Sequence, residues 1–148
     1  MVSQKCQYAI RALFELARRH GEGPVRIGDI AGTQAIPLRF LEVILGQLRQ
    51  AGFVQSRRGA AGGYFLARPP TQLSVGEIVQ FVEGPLVPVE CMTGMSAREC
   101  AFSGKCVFID MWKRAAKAVS DVYDRTSFQD LVDDEARRQK APALTYSI

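Results

Sequence analysis

Three of the four cysteines of this chain lie close together in the sequence, at Cys91, Cys100 and Cys106. Eight residues separate the first pair and five separate the second, and Gly94 and Gly104 lie within these intervals. Glycine permits tight backbone turns, so a loop of this kind can fold its thiolates around one soft metal centre. In a reducing compartment, cysteines are more often metal-binding or redox-active than structurally bridged. This segment therefore predicts metal or redox chemistry.

Several kinds of chemistry suit these thiols. An iron–sulfur cluster takes thiolates readily and tolerates an oxygen or nitrogen atom as its fourth ligand, and we favour this interpretation. A disulfide between Cys100 and Cys106 would instead form a switch that needs no metal. Structural zinc is less favoured, because it prefers four firm ligands at shorter paired intervals and the chain has no Cys-x-x-Cys motif. Inert thiols are the remaining alternative.

The first half of the chain has the element order of a winged helix–turn–helix. Apolar residues recur at three- and four-residue steps over residues 4–19, which predicts a first helix that stops at Gly21. A short helix is expected over 27–33, followed by a turn and a second helix from Pro37 to about Ala51. This last helix is expected to bury five apolar side chains, those of Leu38, Leu41, Ile44, Leu45 and Leu48.

Two β-prone runs, at 53–56 and 64–66, flank a basic turn rich in glycine and predict a β-hairpin wing. Beyond the wing, Ser74 and Glu77 have the spacing of a capping box, which predicts the start of a helix that stops at Gly84. The predicted fold is therefore mainly α with a small β-hairpin wing, a winged helix–turn–helix followed by a long dimerisation helix.

The long helix is expected from about Lys105 to Tyr123, with a short helix after it over 126–138. Its apolar residues recur with a 3.5-residue period at Phe108, Trp112, Ala115, Val119 and Val122. This period is typical of a helix–helix seam and favours a homodimer, with core packing inside one chain as the alternative. We divide the chain into a DNA-binding domain at 1–83, a cysteine loop at 84–106, a dimerisation segment at 107–138 and a disordered tail at 139–148.

Charge is distributed unevenly along the chain, whose formal net charge is +4. Residues 1–70 contain ten Lys or Arg against four Asp or Glu, whereas residues 71–148 contain nine against eleven. A basic front half is typical of a protein with a polyanionic partner, and the predicted fold makes that partner double-stranded DNA.

Specific residues of the front half can read DNA. Arg39 near the start of the second helix can address guanine or phosphate, and Glu42 can accept a hydrogen bond from a cytosine amino group. The alternative interpretation of Glu42 is a solvated helix residue. Arg57 and Arg58 suit a narrow minor groove, and the wing glycines allow a close approach. The candidate DNA contacts are Tyr8, Pro37, Leu38, Arg39, Phe40, Glu42, Arg49, Arg57, Arg58, Gly59, Gly62 and Gly63.

Other classes of protein fit the sequence poorly. The N-terminus lacks the apolar core of a signal peptide and no segment is apolar enough to cross a membrane, so we expect a cytoplasmic location without membrane contact. The chain has neither a nucleotide-binding glycine pattern nor a paired acid–base constellation. We therefore do not expect an enzyme.

The motifs along the chain resemble those of the Rrf family of bacterial winged-helix regulators. The resemblance is carried by residues 8–10, 30–31, 36–42, 48–54, 58–64 and 75–78, and by the three cysteines followed by Trp112. It covers nearly all of residues 1–135. Members of the IscR, NsrR and RirA types are dimers that hold an iron–sulfur cluster through three such cysteines. The resemblance implies that Cys91, Cys100 and Cys106 are ligands and that Glu42 sets specificity.

The fourth ligand does not follow from the resemblance. The IscR type has a histidine three residues after the last cysteine, where this chain has Ile109, and the NsrR type has an N-terminal aspartate where this chain has Gln7. The candidates are Asp110, one helical turn beyond Cys106, and Glu99, Glu90, Cys6 or water. Cys6 is also explained as a small buried residue.

The expected function is that of a dimeric regulator whose promoter binding is controlled by a [2Fe-2S] or [4Fe-4S] cluster. Such a cluster would sense iron, cluster supply, nitric oxide or redox state. The alternative is a winged-helix regulator without a cluster, switched by cysteine oxidation or by a protein partner.

Overall fold

The computed structural model describes residues 2–94 and 100–141. Within these ranges the helices and strands are α1 Gln4–Arg18, α2 Ile27–Gln34, α3 Leu38–Gln50, β1 Val54–Arg57, β2 Gly63–Leu66, α4 Val75–Glu83, α5 Ile109–Asp124 and α6 Phe128–Lys140. Single 3-10 turns lie at Pro70–Gln72 and Glu90–Thr93. The predicted fold class, mainly helical with a two-stranded antiparallel hairpin, is confirmed. In the same two ranges, no helix combines the length and apolar character that crossing a bilayer requires.

Helices α2 and α3 form the helix–turn–helix, and α1 packs against both. The turn between them depends on Ala35, whose φ of 52° is the left-handed value that non-glycine residues seldom adopt. Pro37 is the N-cap of α3 and therefore lies one residue before the helix. Leu41, Ile44, Leu45 and Leu48 are buried as predicted.

The prediction for Leu38 is wrong, because this side chain is 47% exposed. Leu38 is the first residue of α3, and it does not pack against the core that the later turns of the helix reach. Its exposure leaves it on the surface around the start of α3, among the candidate DNA contacts.

The wing is docked onto the segment that precedes α2. Strands β1 and β2 pair from Val54 opposite Leu66 to Arg57 opposite Gly63. The N–H of Val25 donates to the carbonyl of Tyr64 and the N–H of Tyr64 donates to the carbonyl of Val25, both at 2.8 Å. These bonds fix the base of the wing relative to the helix–turn–helix.

Helix α4 begins with the capping box that the sequence predicted. The Glu77 N–H donates to Ser74 Oγ at 3.2 Å, and the Ser74 N–H donates to Glu77 Oε2 at 3.0 Å. This reciprocal pair satisfies two backbone donors that the first helical turn leaves without intrahelical partners.

Helix α6 folds back onto α1 of the same chain. Its first residue, Phe128, is fully buried in the core, and its N–H donates to the carbonyl of Leu73 at 3.0 Å. The N–H of Val75 donates to the carbonyl of Thr126 at 2.8 Å. The helix continues to Lys140, two residues into the predicted tail, whereas residues 142–148 of that tail lie outside the described residues.

Helix α5 begins at Ile109, four residues later than predicted. A separate turn precedes it, because Gly104 has a φ of 77° and the Lys105 N–H donates to the carbonyl of Phe102 at 2.8 Å. The helix packs against α4 at the buried Gly76, where a Cβ would collide with Asp124. Glycine is therefore required for the close approach of these two helices.

The predicted seam of α5 faces away from the core of this chain. Phe108, Ala115, Val119 and Val122 are exposed, Val122 by 64% of its surface, and Trp112 is half-buried. The opposite side, including Ala116 and Ser120, lines a cleft against α4. Core packing inside one chain therefore does not account for the 3.5-residue period.

Candidate nucleic-acid interface and cysteine loop

The outward face of α3 presents both predicted base-reading side chains to solvent. Arg39 and Glu42 are exposed, and neither forms an ion pair with any described residue. Val43, which the sequence reasoning missed, is exposed beside them. The helical period could have predicted the exposure of Val43, because Val43 lies four residues after Arg39, on the side of the helix opposite the buried residues.

Aromatic contacts connect α1 with the start of α3. The rings of Tyr8 and Phe40 are 6.4 Å apart, centroid to centroid, and the guanidinium of Arg11 lies 5.7 Å from the centroid of the Tyr8 ring. Gln4 Nε2 donates a hydrogen bond to the Tyr8 hydroxyl at 2.9 Å. Tyr8 is therefore held against the start of α3, next to exposed Phe40, whose ring extends the same surface.

The tip of the wing is exposed and basic. Arg57 and Arg58 lie at its edge, and the Arg57 guanidinium is 5.9 Å from the ring centroid of Phe65. Gly59 has a φ of 103°, and a Cβ at Gly62 would collide with the backbone of residues 57–59. The turn itself therefore requires glycine at these positions.

A shallow basin of about 520 Å³ lies between the wing, the end of α3 and the start of α2. Of the residues that the structure describes, four arginines and no acidic side chain line it, namely Arg26, Arg49, Arg57 and Arg58. Arg49 donates to Ser56 Oγ at 3.1 Å, and Arg26 donates to the carbonyl of Ala60 in the wing turn. The sequence reasoning missed Arg26, which is distant in sequence from the wing that it contacts.

Most cations of the front half are free of acidic partners. Ion pairs involve Arg18, Arg19 and Arg68. The other seven have none within the described ranges, namely Lys5, Arg11, Arg26, Arg39, Arg49, Arg57 and Arg58. The charge of an arginine without a carboxylate partner is not neutralised inside the protein and is available to bind a phosphate. The positive potential of this half is therefore concentrated at the exposed surface of α3 and the wing.

The three loop cysteines are free thiols at half-buried positions. Cys91 lies in the 3-10 turn Glu90–Thr93, and Cys106 lies just before α5. The donor chemistry suits an iron–sulfur cluster, since these thiols are not consumed by disulfides. Their arrangement is not that of a preformed site, because among the described residues no three cysteine, histidine or acidic side chains converge on one point.

The candidate fourth ligands differ in their surroundings. Asp110 is exposed in the first turn of α5 and Glu90 is exposed beside Cys91, whereas Glu99 lies outside the described residues. Cys6 is fully buried in α1. Burial, together with the carboxylate of Glu83, raises the pKa of the Cys6 thiol to about 11. A thiol that is held protonated is a poor ligand, which argues against Cys6.

The loop is attached to the DNA-binding half next to the N-terminus of α1. Glu83, the last residue of α4, accepts hydrogen bonds from the Ser3 N–H, at 2.8 Å, and from the Ser3 hydroxyl. These bonds from Ser3 lower the pKa of the Glu83 carboxyl. Ser3 also caps α1 by accepting from the Cys6 N–H at 3.2 Å. The root of the cysteine loop and the start of α1 are thus held together.

Comparison with known proteins agrees with this architecture. CymR of Bacillus subtilis is 35% identical over 140 residues, which are 95% of each chain. The solved structure of this global cysteine regulator gives a TM-score of 0.75 over 90% of the present chain and 97% of its own. IscR from T. potens is 34% identical with a TM-score of 0.75, over 99% and 96% of the two chains. The transcriptional regulator IscR of Aliivibrio salmonicida is 30% identical over 138 residues, 93% of this chain and 80% of its own.

The family profile described as Rrf2, iron-dependent transcriptional regulator, matches residues 2–134. The match covers the helix–turn–helix, the wing, the cysteine segment and the first half of α6. With the fold, the wing and the relatives in agreement, the chain belongs to the Rrf2 family of transcriptional regulators and is not an enzyme.

Proposed function

We propose that this protein is a homodimeric regulator that binds promoter DNA through α3 and the wing, in the bacterial cytoplasm. The observation that carries the proposal is the arginine-lined basin that joins the two elements, to which the described part of the chain contributes no acidic side chain. In a helix–turn–helix protein, the second helix enters the major groove and basic loops contact the flanking backbone. Arg58 at the wing, and Arg39 with Glu42 on α3, are the residues that we assign to these contacts.

Salt titration tests the DNA assignment. Each lost phosphate contact shallows the slope of log affinity against log salt by about one unit. We expect Arg58→Ala to weaken binding for all sequences and to reduce the slope in this way, as measured by fluorescence anisotropy. Arg138→Ala, which removes an exposed arginine from α6, is the matched control. Equal slopes for Arg58→Ala and the unmodified protein would remove the wing from the interface.

We assign the exposed apolar face of α5 to a second copy of the chain. Val119 and Val122 are exposed one turn apart, and a partner helix with the same face would cover both. Val119→Asp should produce a monomer in sedimentation analysis, because the new carboxylate would be buried without a partner. Arg114→Asp, also on α5 and exposed, should remain a dimer. A dimeric Val119→Asp protein contradicts this assignment.

For the cysteine loop we propose that Cys91, Cys100 and Cys106 hold an iron–sulfur cluster of the [2Fe-2S] or [4Fe-4S] type. Asp110, Glu90, Glu99 or water would complete the ligand set. The cluster would supply a centre that reacts with oxidants and nitric oxide and is lost when iron is scarce. The thiols must approach one another for binding, so the loop between α4 and α5 has to close. Ser3 and Glu83 would transmit that closure to α1.

Anaerobic reconstitution with iron and sulfide tests this assignment. A coloured protein with stoichiometric iron is expected, and Cys91→Ala, Cys100→Ala and Cys106→Ala should each remain colourless. Cys6→Ala is the matched control and should keep the colour, because its thiol is buried and protonated. A colourless unmodified protein contradicts the assignment while leaving DNA binding intact.

A second candidate is a regulator whose thiols are themselves the switch. Two observations are compatible with it: the described residues contain no converged metal-binding set, and the relative CymR is called a global cysteine regulator. Peroxide treatment would then join Cys100 and Cys106 in a disulfide that is detected by peptide mass spectrometry, and would change DNA affinity. Reconstituted protein that has colour but shows no response to thiol oxidation excludes this candidate.

A further inference from the structure

One face of α3 lies opposite the core, and its residues do not belong to the buried cluster. Leu41, Ile44, Leu45 and Leu48 form the buried side of the helix. On the opposite side, positions 39, 43 and 46 follow one another at steps of four and three residues, so Arg39, Val43 and Gly46 share one face. This face is the one that a recognition helix turns toward the floor of the major groove.

Val43 is apolar in the middle of this face. Its side chain is 59% exposed, and it is not among the residues packed against the core. An isolated valine on a surface needs no explanation. This one, however, directly follows the acid Glu42 and lies one helical turn beyond the cation Arg39, on the part of the chain best placed to meet base edges.

Gly46 provides a second and independent observation. A Cβ at this position would meet no atom within 4 Å, and its φ is not positive. The folded chain therefore has no need for glycine here, although glycine costs a helix interior about 1 kcal/mol relative to alanine. The absence of a side chain leaves room on this face for a partner that approaches the helix backbone closely.

The base edges offer a single apolar group to such a surface. In the major groove the only apolar feature of the four bases is the 5-methyl group of thymine. Valine is suited to this contact, because a β-branched side chain in a helix has one strongly preferred rotamer and loses little entropy on binding. A charged or hydrogen-bonding base edge against Val43 would instead be left without a partner.

We propose that Val43 contacts the 5-methyl group of a thymine in the major groove and thereby selects a T·A pair at one position of each half-site. Gly46, one turn further along, allows the helix to approach closely enough for this contact. The inference rests on the proposed DNA binding by α3, and it adds a specificity-determining residue to Arg39 and Glu42.

Thymine-to-uracil replacement tests the contact, since it removes the methyl group and nothing else. Preferred sites are first selected from a random duplex pool, and each thymine is then replaced by deoxyuridine. At one position in each half-site, replacement by deoxyuridine should lower the affinity of the unmodified protein about fourfold, because the burial of one methyl-sized group is lost. For Val43→Ala the same replacement should have no effect. Val43→Thr retains the branched shape but replaces one methyl with a hydroxyl, and should respond less than the unmodified protein.

Gly46→Ala supplies the complementary measurement. Its melting temperature should rise, because alanine favours the helix, while its DNA affinity should fall by about tenfold or more, the cost of an overpacked contact. Unchanged affinity would count against a close approach at Gly46.

The possible failures of the experiment are distinguishable. If no sequence is enriched from the pool, the proposed DNA binding fails. If sequences are enriched and bound, but uracil is tolerated equally by the unmodified protein and Val43→Ala, DNA binding stands and the assignment of Val43 is overturned. Thermal melting of each variant verifies that a loss of affinity does not reflect unfolding.

Discussion

Gly63→Ala is the substitution that best tests how the wing is held. Gly63 has a φ of 151°, and an added Cβ would collide with the backbone of Val25. That backbone is bonded to Tyr64 by two hydrogen bonds of 2.8 Å. The methyl group cannot be accommodated while both bonds remain, so the wing must separate from the segment before α2.

The expected cost follows from these contacts. Each of the two hydrogen bonds contributes about 1 kcal/mol net. The unfavourable backbone conformation adds about 1–2 kcal/mol for a residue with a side chain. The total is about 3–4 kcal/mol, which corresponds to a decrease in melting temperature of roughly 6–16 °C for a chain of this size.

Gly59→Ala provides the matched control within the same hairpin. Its φ of 103° is also positive, but a Cβ at this position would meet no atom within 4 Å. Only the conformational cost of about 1–2 kcal/mol should therefore appear. Urea denaturation gives the two free energies of unfolding, and hydrogen exchange at the Tyr64 amide reports whether the wing has separated.

The DNA affinity of the two variants completes the test. Gly63→Ala should bind DNA more weakly than Gly59→Ala, because Arg57 and Arg58 lose their fixed position relative to α3. The reasoning is refuted if the two variants have equal stability, equal exchange at Tyr64 and equal affinity.

Three further substitutions test the core, the turn between α2 and α3, and the α4–α5 contact. Burial raises the pKa of the Cys6 thiol from its ordinary 9.0 to about 11, so the thiol ionises at lower pH in the unfolded chain than in the folded one. The stability that the protonated thiol contributes should be complete below about pH 9 and lost as the pH rises to about 11. In urea denaturation, Cys6→Ala should therefore show a smaller decrease of the unfolding free energy between about pH 9 and 11 than the unmodified protein. Ala35→Gly should raise the free energy of unfolding by up to about 1 kcal/mol, because relief of the left-handed conformation exceeds the added chain entropy; an unchanged melting temperature would contradict this. Gly76→Ala should lower the free energy of unfolding by about 1–3 kcal/mol, because the added Cβ forces Asp124 away from α4. Gly28→Ala is the control and should not destabilise the protein, because no atom lies within 4 Å of its added Cβ. Differential scanning calorimetry compares the two variants.

Local sequence signals were sufficient for the helices, the wing and their order. The capping box at Ser74 and Glu77, the glycines of the wing turn and the buried row of α3 depend on residues within a few positions of one another. Such patterns are visible in sequence because hydrogen bonds and side-chain neighbours in a helix or hairpin recur at fixed short intervals. Exposed Arg39 and Glu42 were among the predicted contacts of α3, whereas Val43 was missed, and Leu38 in the first turn does not reach the core as predicted.

Contacts between distant residues were decided only by the tertiary structure. Glu15 is 1% exposed within the apolar row of α1, and it accepts hydrogen bonds from Gln34 Nε2 at 2.9 Å and from Arg18 Nη2 at 2.8 Å. The periodicity of the sequence could not predict this buried carboxylate, because its hydrogen-bond donor comes from a different helix, α2. Arg26 likewise becomes part of the basic surface only because the wing folds back to it.

The sequence by itself determined the winged-helix fold, the basic character of the front half and the presence of three thiols in one segment. The tertiary structure decided that α6 packs on α1, that the seam of α5 is exposed, and that Cys6 is buried apart from the loop thiols. The physical reason is that composition and spacing specify which groups a segment carries. Whether those groups meet depends on packing and on the entropy of closing the chain between them.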